Sequence, residues 1–246
     1  MTPRLLLLSS SKPARNAEYF VHARQEMQGI LAGTSGLLFI PYASPGGISH
    51  SAYTEMIGKA FQAQGLSQAV IGIESFADPI EAIRQAKAFF VGGGNTFLLL
   101  KTLYEKGLLA EIKARVAQGA PYLGSSAGSN IAGLTINTSN DMTIVHPPSL
   151  DALGILPFNI NPHFPKAELE NHSGETRGDR IREYHALGQQ LPPVVAMYEE
   201  CMLSLQDGAL HLIGNPSTEH PGAWLFQQGV DQPQAIACGS DISYLL

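Results

Sequence analysis

Apolar and polar positions along the chain fall into short blocks that alternate between continuous runs and helical spacing. Leu5–Leu8 is an unbroken apolar run closed by Ser9-Ser10-Ser11, the pattern of a strand buried on both faces. Ala17–Ile30 places Phe20, Val21, Met27 and Ile30 at helical intervals and ends near Gly29 and Gly33, predicting a helix. Gly36–Tyr42 predicts a second strand, with Ala43-Ser-Pro-Gly-Gly47 as a loop at its carboxyl end. Ser51–Gln64 predicts a helix stopped at Gly65, Ala69–Ile73 a strand, and Pro79–Ala86 a short helix capped by Asp78. Lys87–Val91 predicts a strand that runs directly into Gly92-Gly93-Gly94-Asn95.

Strand and helix alternate in this way to about residue 132, which argues for a parallel sheet with helices on both faces. Beyond residue 133 the runs shorten. Val194–Met197, Met202–Leu205, Ala209–Ile213 and Ala223–Phe226 predict strands, several of them antiparallel, and Asp207-Gly208 predicts a hairpin turn. The expectation is one α/β domain over residues 1–246. It has three α/β/α layers, a mainly parallel central sheet and additional antiparallel strands in its C-terminal third.

Composition narrows the function. With 44% hydrophobic and 15% charged residues, the chain has the make-up of a well-packed soluble protein. A net charge of −6 with no basic run argues against nucleic acid as a partner. The apolar start is too short for a signal peptide, and no span approaches the ~18 apolar residues that a bilayer requires. Cys201 and Cys238 form no metal or redox motif, and no histidine pair has metal-ligand spacing. A cytoplasmic protein without metal or cofactor is therefore expected, bound to neither membrane nor nucleic acid.

Candidate chemistry centres on Gly124-Ser-Ser-Ala-Gly128, a Gly-x-Ser-x-Gly pattern after a short apolar run. Such an elbow holds its serine in a strained turn between strand and helix, and only Ser126 has glycine two residues away on both sides. A tight Gly-rich turn without chemistry is the bland alternative. Gly92–Asn95 lacks the spacing of a dinucleotide or P-loop motif. Its exposed N–H groups suit an oxyanion hole, with Ala127 as the second donor, a plain tight turn and a phosphate site being the alternatives. A base would come from His163, held between Pro162 and Pro165, with His172 as the rival. Asp141 and Glu199 compete as the acid behind it. Thr176 and Asp179 resemble a helix capping pair, which puts Arg177 in a first turn, either as an anion site or as a solvated side chain.

Taken together, Val91-Gly-Gly-Gly-Asn-Thr-Phe97, Gly124–Gly128, Asn140-Asp-Met142, Ile160-Asn-Pro-His-Phe164 and His172-Ser-Gly-Glu-Thr-Arg177 resemble serine peptidase family S51, from about Leu5 to Phe226. The resemblance implies a fold similar to class I glutamine amidotransferases. It also implies a cytoplasmic, metal-independent dipeptidase for substrates with an amino-terminal aspartate. Carried onto this chain, it makes Ser126 the nucleophile, His163 the base, and Asp141 or Glu199 the acid. Gly94 and Ala127 become the oxyanion donors, and Arg177, His172 and Asn95 the substrate contacts. A homodimer is the candidate assembly. Two departures stand out: Ser125 occupies a position where some relatives carry tryptophan, and Tyr198-Glu199-Glu200-Cys201 replaces a usual Pro-Glu-Gly. A cyanophycinase-like hydrolase acting on aspartyl-containing polymers is the second reading, and a non-catalytic ligand-binding domain the third.

Overall fold

The computed structural model describes residues 2–166, 174–187, 190–214 and 220–246. Strands and helices follow in the order β1 (Leu5–Leu8), α1 (Arg24–Ile30), β2 (Gly36–Ile40), α2 (His50–Ala63), β3 (Ala69–Gly72), α3 (Pro79–Gln85), β4 (Phe89–Val91), α4 (Thr96–Glu105), α5 (Leu109–Ala117), β5 (Tyr122–Ser125) and α6 (Ala127–Asn130). The C-terminal half adds β6 (Asn159–Asn161), α7 (Arg177–Leu187), β7 (Val194–Met197), β8 (Cys201–Gln206), β9 (Ala209–Gly214), β10 (Ala223–Phe226) and β11 (Gln234–Ile236).

A seven-stranded sheet runs in the order β3-β2-β4-β5-β1-β8-β9, with its first five strands parallel and β8 and β9 antiparallel. The polarity of these pairings explains the leucine run. Leu5 and Leu7 point into one apolar layer with Leu99, Leu103 and Ile112 of α4 and α5, while Leu6 and Leu8 point into the other with Met27, Ile57 and Phe61 of α1 and α2. All four leucines are fully buried, and each contributes roughly 1.5–3 kcal/mol of transfer free energy. Helices therefore cover both faces of the sheet, as expected for a parallel sheet. A second sheet, β11-β10-β7-β6, packs its Val195 and Leu225 into the first layer. It was not foreseen as a separate sheet, although two of its strands were.

Several element boundaries differ from those expected, two of them for a visible reason. The helix expected from Ala17 starts only at Arg24, because Phe20 turns to φ 62° and donates its N–H to Ser11 O at 2.8 Å. That turn buries the Phe20 ring edge-on against Phe61 and Phe90, and tertiary packing overrides the helical rhythm. The third strand stops at Gly72, where Ile73–Ser75 forms a single 3-10 turn.

Close packing of β4, β5 and α6 rests on glycine. A Cβ on Gly128 would collide with the Val91 carbonyl oxygen, and one on Gly124 with the backbone of Gly128 and Ser129. Gly128→Ala is therefore expected to cost about 3 kcal/mol of unfolding free energy or to prevent folding, as measured by urea denaturation.

Candidate active site

The carboxyl ends of β1, β4 and β5 lie side by side, with Leu8 opposite Ser125 and Val91 opposite Gly124. The chain emerges there as Ser9, Gly92 and Ser126. Ser126 has φ 54° and ψ −110°, a backbone conformation that costs an L-residue about 1–3 kcal/mol. The turn is tied down by its own N–H, which donates to Leu8 O at 3.1 Å. Next to it the Ser129 hydroxyl donates to the same carbonyl at 2.6 Å, and the Tyr122 hydroxyl donates to Gly128 O at 2.7 Å. The elbow expected from the glycine spacing is thus a real strand–turn–helix junction.

The second sheet supplies the partners. β6 and β7 are parallel neighbours with Asn161 opposite Ala196, so their exits, Pro162-His163 and Tyr198-Glu199, emerge together. His163 Nε2 lies 2.8 Å from Ser126 Oγ, and His163 Nδ1 lies 3.1 Å from Glu199 Oε1. This line has the connectivity of a nucleophile, a base and an orienting acid. Glu199 is 49% exposed and His163 34%, so solvent screens the ion-pair part of their contact, leaving orientation of the ring as its main effect.

Asp141 sits elsewhere. Its carboxylate accepts from the backbone N–H and the hydroxyl of Thr96, at 2.7 and 2.6 Å, at the start of α4. Asn95 caps the same helix, accepting from Leu98 N–H at 3.0 Å, and its amide donates to Met142 O at 2.8 Å. Both side chains are occupied in fastening loop 138–142 to the glycine loop. Asn140 in that loop bonds Asn161 and Pro162 O, which ties it to the approach to His163. His172 lies outside the described residues.

Around Ser126 the glycine loop comes close at Gly93, where a Cβ would stand 3.1 Å from Ser126 Cβ. Gly94 turns at φ +140° against the Ala43 carbonyl, a contact that leaves no room for a side chain. Tyr53 donates its hydroxyl to Gly93 O at 3.2 Å. Burial pushes that phenol up to about 12, which keeps it protonated as a donor. Because a trans peptide is planar, fixing the Gly93 carbonyl also fixes the opposite direction for the Gly94 N–H. Ala127 opens α6, and the first N–H groups of a helix have no partner inside it.

Arg177 begins α7 behind a capping pair. Thr176 N–H donates to Asp179 at 3.0 Å, and Asp179 N–H donates to Thr176 Oγ1 at 3.0 Å. Its guanidinium donates to the His163 carbonyl. Burial pushes it below its ordinary value, against the pull of the Glu199 charge, and it remains a cation. A cavity of about 1060 Å³ opens against His163, Glu199 and Arg177, with Phe164, Tyr198 and Trp224 on its walls. That is ample room for a small peptide.

Sequence reasoning missed Ser9, Tyr53 and Gly93. Ser9 looked like the first residue of a turn, and nothing local marks Tyr53; both act through contacts distant in sequence. Gly93 was hidden within a run of three glycines. Among the described residues no group of three or more His, Cys, Asp or Glu could hold a metal ion, and no helix is long and apolar enough to cross a membrane.

Fold and site together define a class: a three-layer α/β protein with a serine elbow facing a histidine. The model of peptidase family S51 matches residues 5–213. Peptidase E of Shewanella denitrificans is 43% identical over 246 residues, covering 100% of both chains, and peptidase E of Shewanella amazonensis is 42% identical over 248 residues with the same coverage. The crystal structure of a peptidase from an acI-B1 Actinobacterium superposes with a TM-score of 0.66 at 18% identity, covering 98% of this chain and 97% of that one. The chain belongs to peptidase family S51.

The different settings of the two acids lead to different expected losses. Glu199→Ala should slow the labelling of Ser126 by a fluorophosphonate by about 100-fold. Asp141→Ala should leave that rate within a few fold and lower the unfolding free energy by about 1 kcal/mol through the weakened start of α4.

Proposed function

We propose that the chain is a serine exopeptidase that hydrolyses dipeptides with an amino-terminal aspartate, through an acyl-enzyme on Ser126. The observation that carries this reading is the 2.8 Å contact between His163 Nε2 and Ser126 Oγ, with His163 and the Arg177 cation lining one cavity. In this mechanism His163 takes the proton of Ser126 as the hydroxyl attacks the carbonyl of the aspartyl residue. N–H groups of Gly94 and Ala127 receive the developing oxyanion, and Glu199 keeps the ring aligned. His163 then protonates the leaving amine, and water enters by the reverse route to release aspartate.

Arg177 supplies the specificity. One of its nitrogens donates to His163 O, and the other donors of the planar fork, which bond no described residue, suit a bidentate pair with the aspartyl carboxylate. That fixed fork also links recognition to the base, because the same guanidinium holds the backbone of His163. The names of the relatives support the peptidase part of this reading. Cys201 and Cys238, both free thiols, suit the reducing cytoplasm that we assign to it.

The test is a turnover assay with Asp-Leu, Asn-Leu, N-acetyl-Asp-Leu and cyanophycin. Asp-Leu should be cleaved and cyanophycin left intact, and Ser126→Ala should abolish the reaction. Arg177→Gln should reduce the preference for Asp-Leu over Asn-Leu by about 100-fold, since a neutral side chain cannot form the paired contact. Cleavage of Asp-Leu that survives Ser126→Ala would overturn the reading.

A further inference from the structure

We propose that Ser9 is a positioning residue for the base, its hydroxyl holding His163 in register with Ser126 across the boundary between the two sheets. The proposal rests on the reading of Ser126 and His163 as nucleophile and base. Ser9 is fully buried at the carboxyl end of β1. Its Oγ accepts the backbone N–H of His163 at 2.8 Å and donates to Met197 O at 3.0 Å. Both partners belong to the chain leaving the second sheet: His163 follows β6, and Met197 ends β7, two residues before Glu199. Ser9 itself directly follows β1 of the first sheet, whose last carbonyl, Leu8 O, receives the N–H of Ser126. Leu8, the last residue of β1, and Ser9 directly after it therefore grip the nucleophile, the base and the approach to the acid.

His163 needs such a grip. It sits at φ 56°, a left-handed conformation that costs an L-residue roughly 1–2 kcal/mol. A histidine there relaxes unless its peptide groups are held on both sides. Ser9 holds its N–H, Arg177 holds its carbonyl, and the next N–H, that of Phe164, donates to Met197 O at 2.9 Å. Met197 O thus receives both the Ser9 hydroxyl and Phe164 N–H, closing a ring of bonds around the base. Of these contacts, the hydroxyl bonds are the ones that tie His163 and Met197 directly to β1. Removing it leaves the His163 N–H without this partner and the His163 ring free to swing off Ser126. A displacement of about 1 Å at a reacting centre is enough for a 100-fold loss.

The experiment compares wild type, Ser9→Ala, Ser9→Cys and Ser126→Ala. The readouts are the rate of fluorophosphonate labelling at Ser126, which needs no knowledge of the substrate, the labelled fraction at completion, and kcat and KM on Asp-Leu. The sulfur of Ser9→Cys nearly preserves volume but cannot accept a 2.8 Å hydrogen bond, so it keeps the packing and removes the grip. Labelling rate and kcat should fall in the order Ser, Cys, Ala, by roughly 10- to 100-fold at the end of the series. KM should stay within about twofold of wild type, and labelling should still reach completion, because the Arg177 contact and the number of folded sites are retained. Folded Ser9→Cys and Ser9→Ala proteins with wild-type rates would overturn the proposal. So would a loss matched by a smaller labelled fraction, or a failure of both variants to fold, which would make Ser9 a residue of the fold alone. Wild-type labelling and turnover surviving in Ser126→Ala would instead overturn the nucleophile reading beneath it.

Discussion

The left-handed turn at Ser126 is the constraint on which the arrangement depends. It can exist only where strand, turn and helix approach without intervening side chains, and Gly124 and Gly128 supply that clearance against the backbones of α6 and β4. The clearance in turn fixes β4 and β5 in contact and brings the Gly92–Asn95 loop against the serine. Its strain is offset by bonds from the surrounding scaffold. Leu8 O receives the Ser126 N–H and the Ser129 hydroxyl, and Tyr122 holds Gly128. The leucine strand β1, buried on both faces, acts as the rigid post for the turn.

His163 faces Ser126 in a backbone conformation of the same disfavoured kind, with φ 56°. Two strained residues in contact, each over-determined by hydrogen bonds to neighbouring strands, are what a preorganised site requires: the reactive geometry is set during folding, before a substrate arrives. The third member of the line is held more loosely. Glu199 stands half in solvent and only has to orient a ring that the backbone already positions. Arg177 is tied to this frame through the carbonyl of His163 itself.

How much of this the sequence disclosed follows from how far each signal reaches along the chain. The elbow was legible because its glycines flank the serine within five residues, and the parallel sheet because leucine and glycine blocks alternate with helical spacing. The capping pair at Thr176 and Asp179, three residues apart, was legible for the same reason. The choice between Asp141 and Glu199 was not. It depends on β6 lying beside β7, a parallel pairing between strands more than thirty residues apart that no local pattern encodes. Asp141 and Asn95 both looked available for chemistry because unpaired polar residues in loops always do. Only the fold shows that they fasten the start of α4. Phe20 misled in the opposite way, since a regular helical spacing gave way to one aromatic ring seeking the core.

Ser126 follows a strand of one sheet and His163 a strand of the other. Apolar contacts between the sheets tolerate a small slide, because a leucine moved slightly along a greasy surface keeps most of its neighbours. A 2.8 Å contact between oxygen and nitrogen does not tolerate it. The Ser126–His163 contact therefore works as a vernier for the alignment of the two sheets, magnifying displacements that the bulk of the core would absorb. Warming, mild denaturant or a distant core substitution should part Ser126 from His163 first, while the fold around them is still whole.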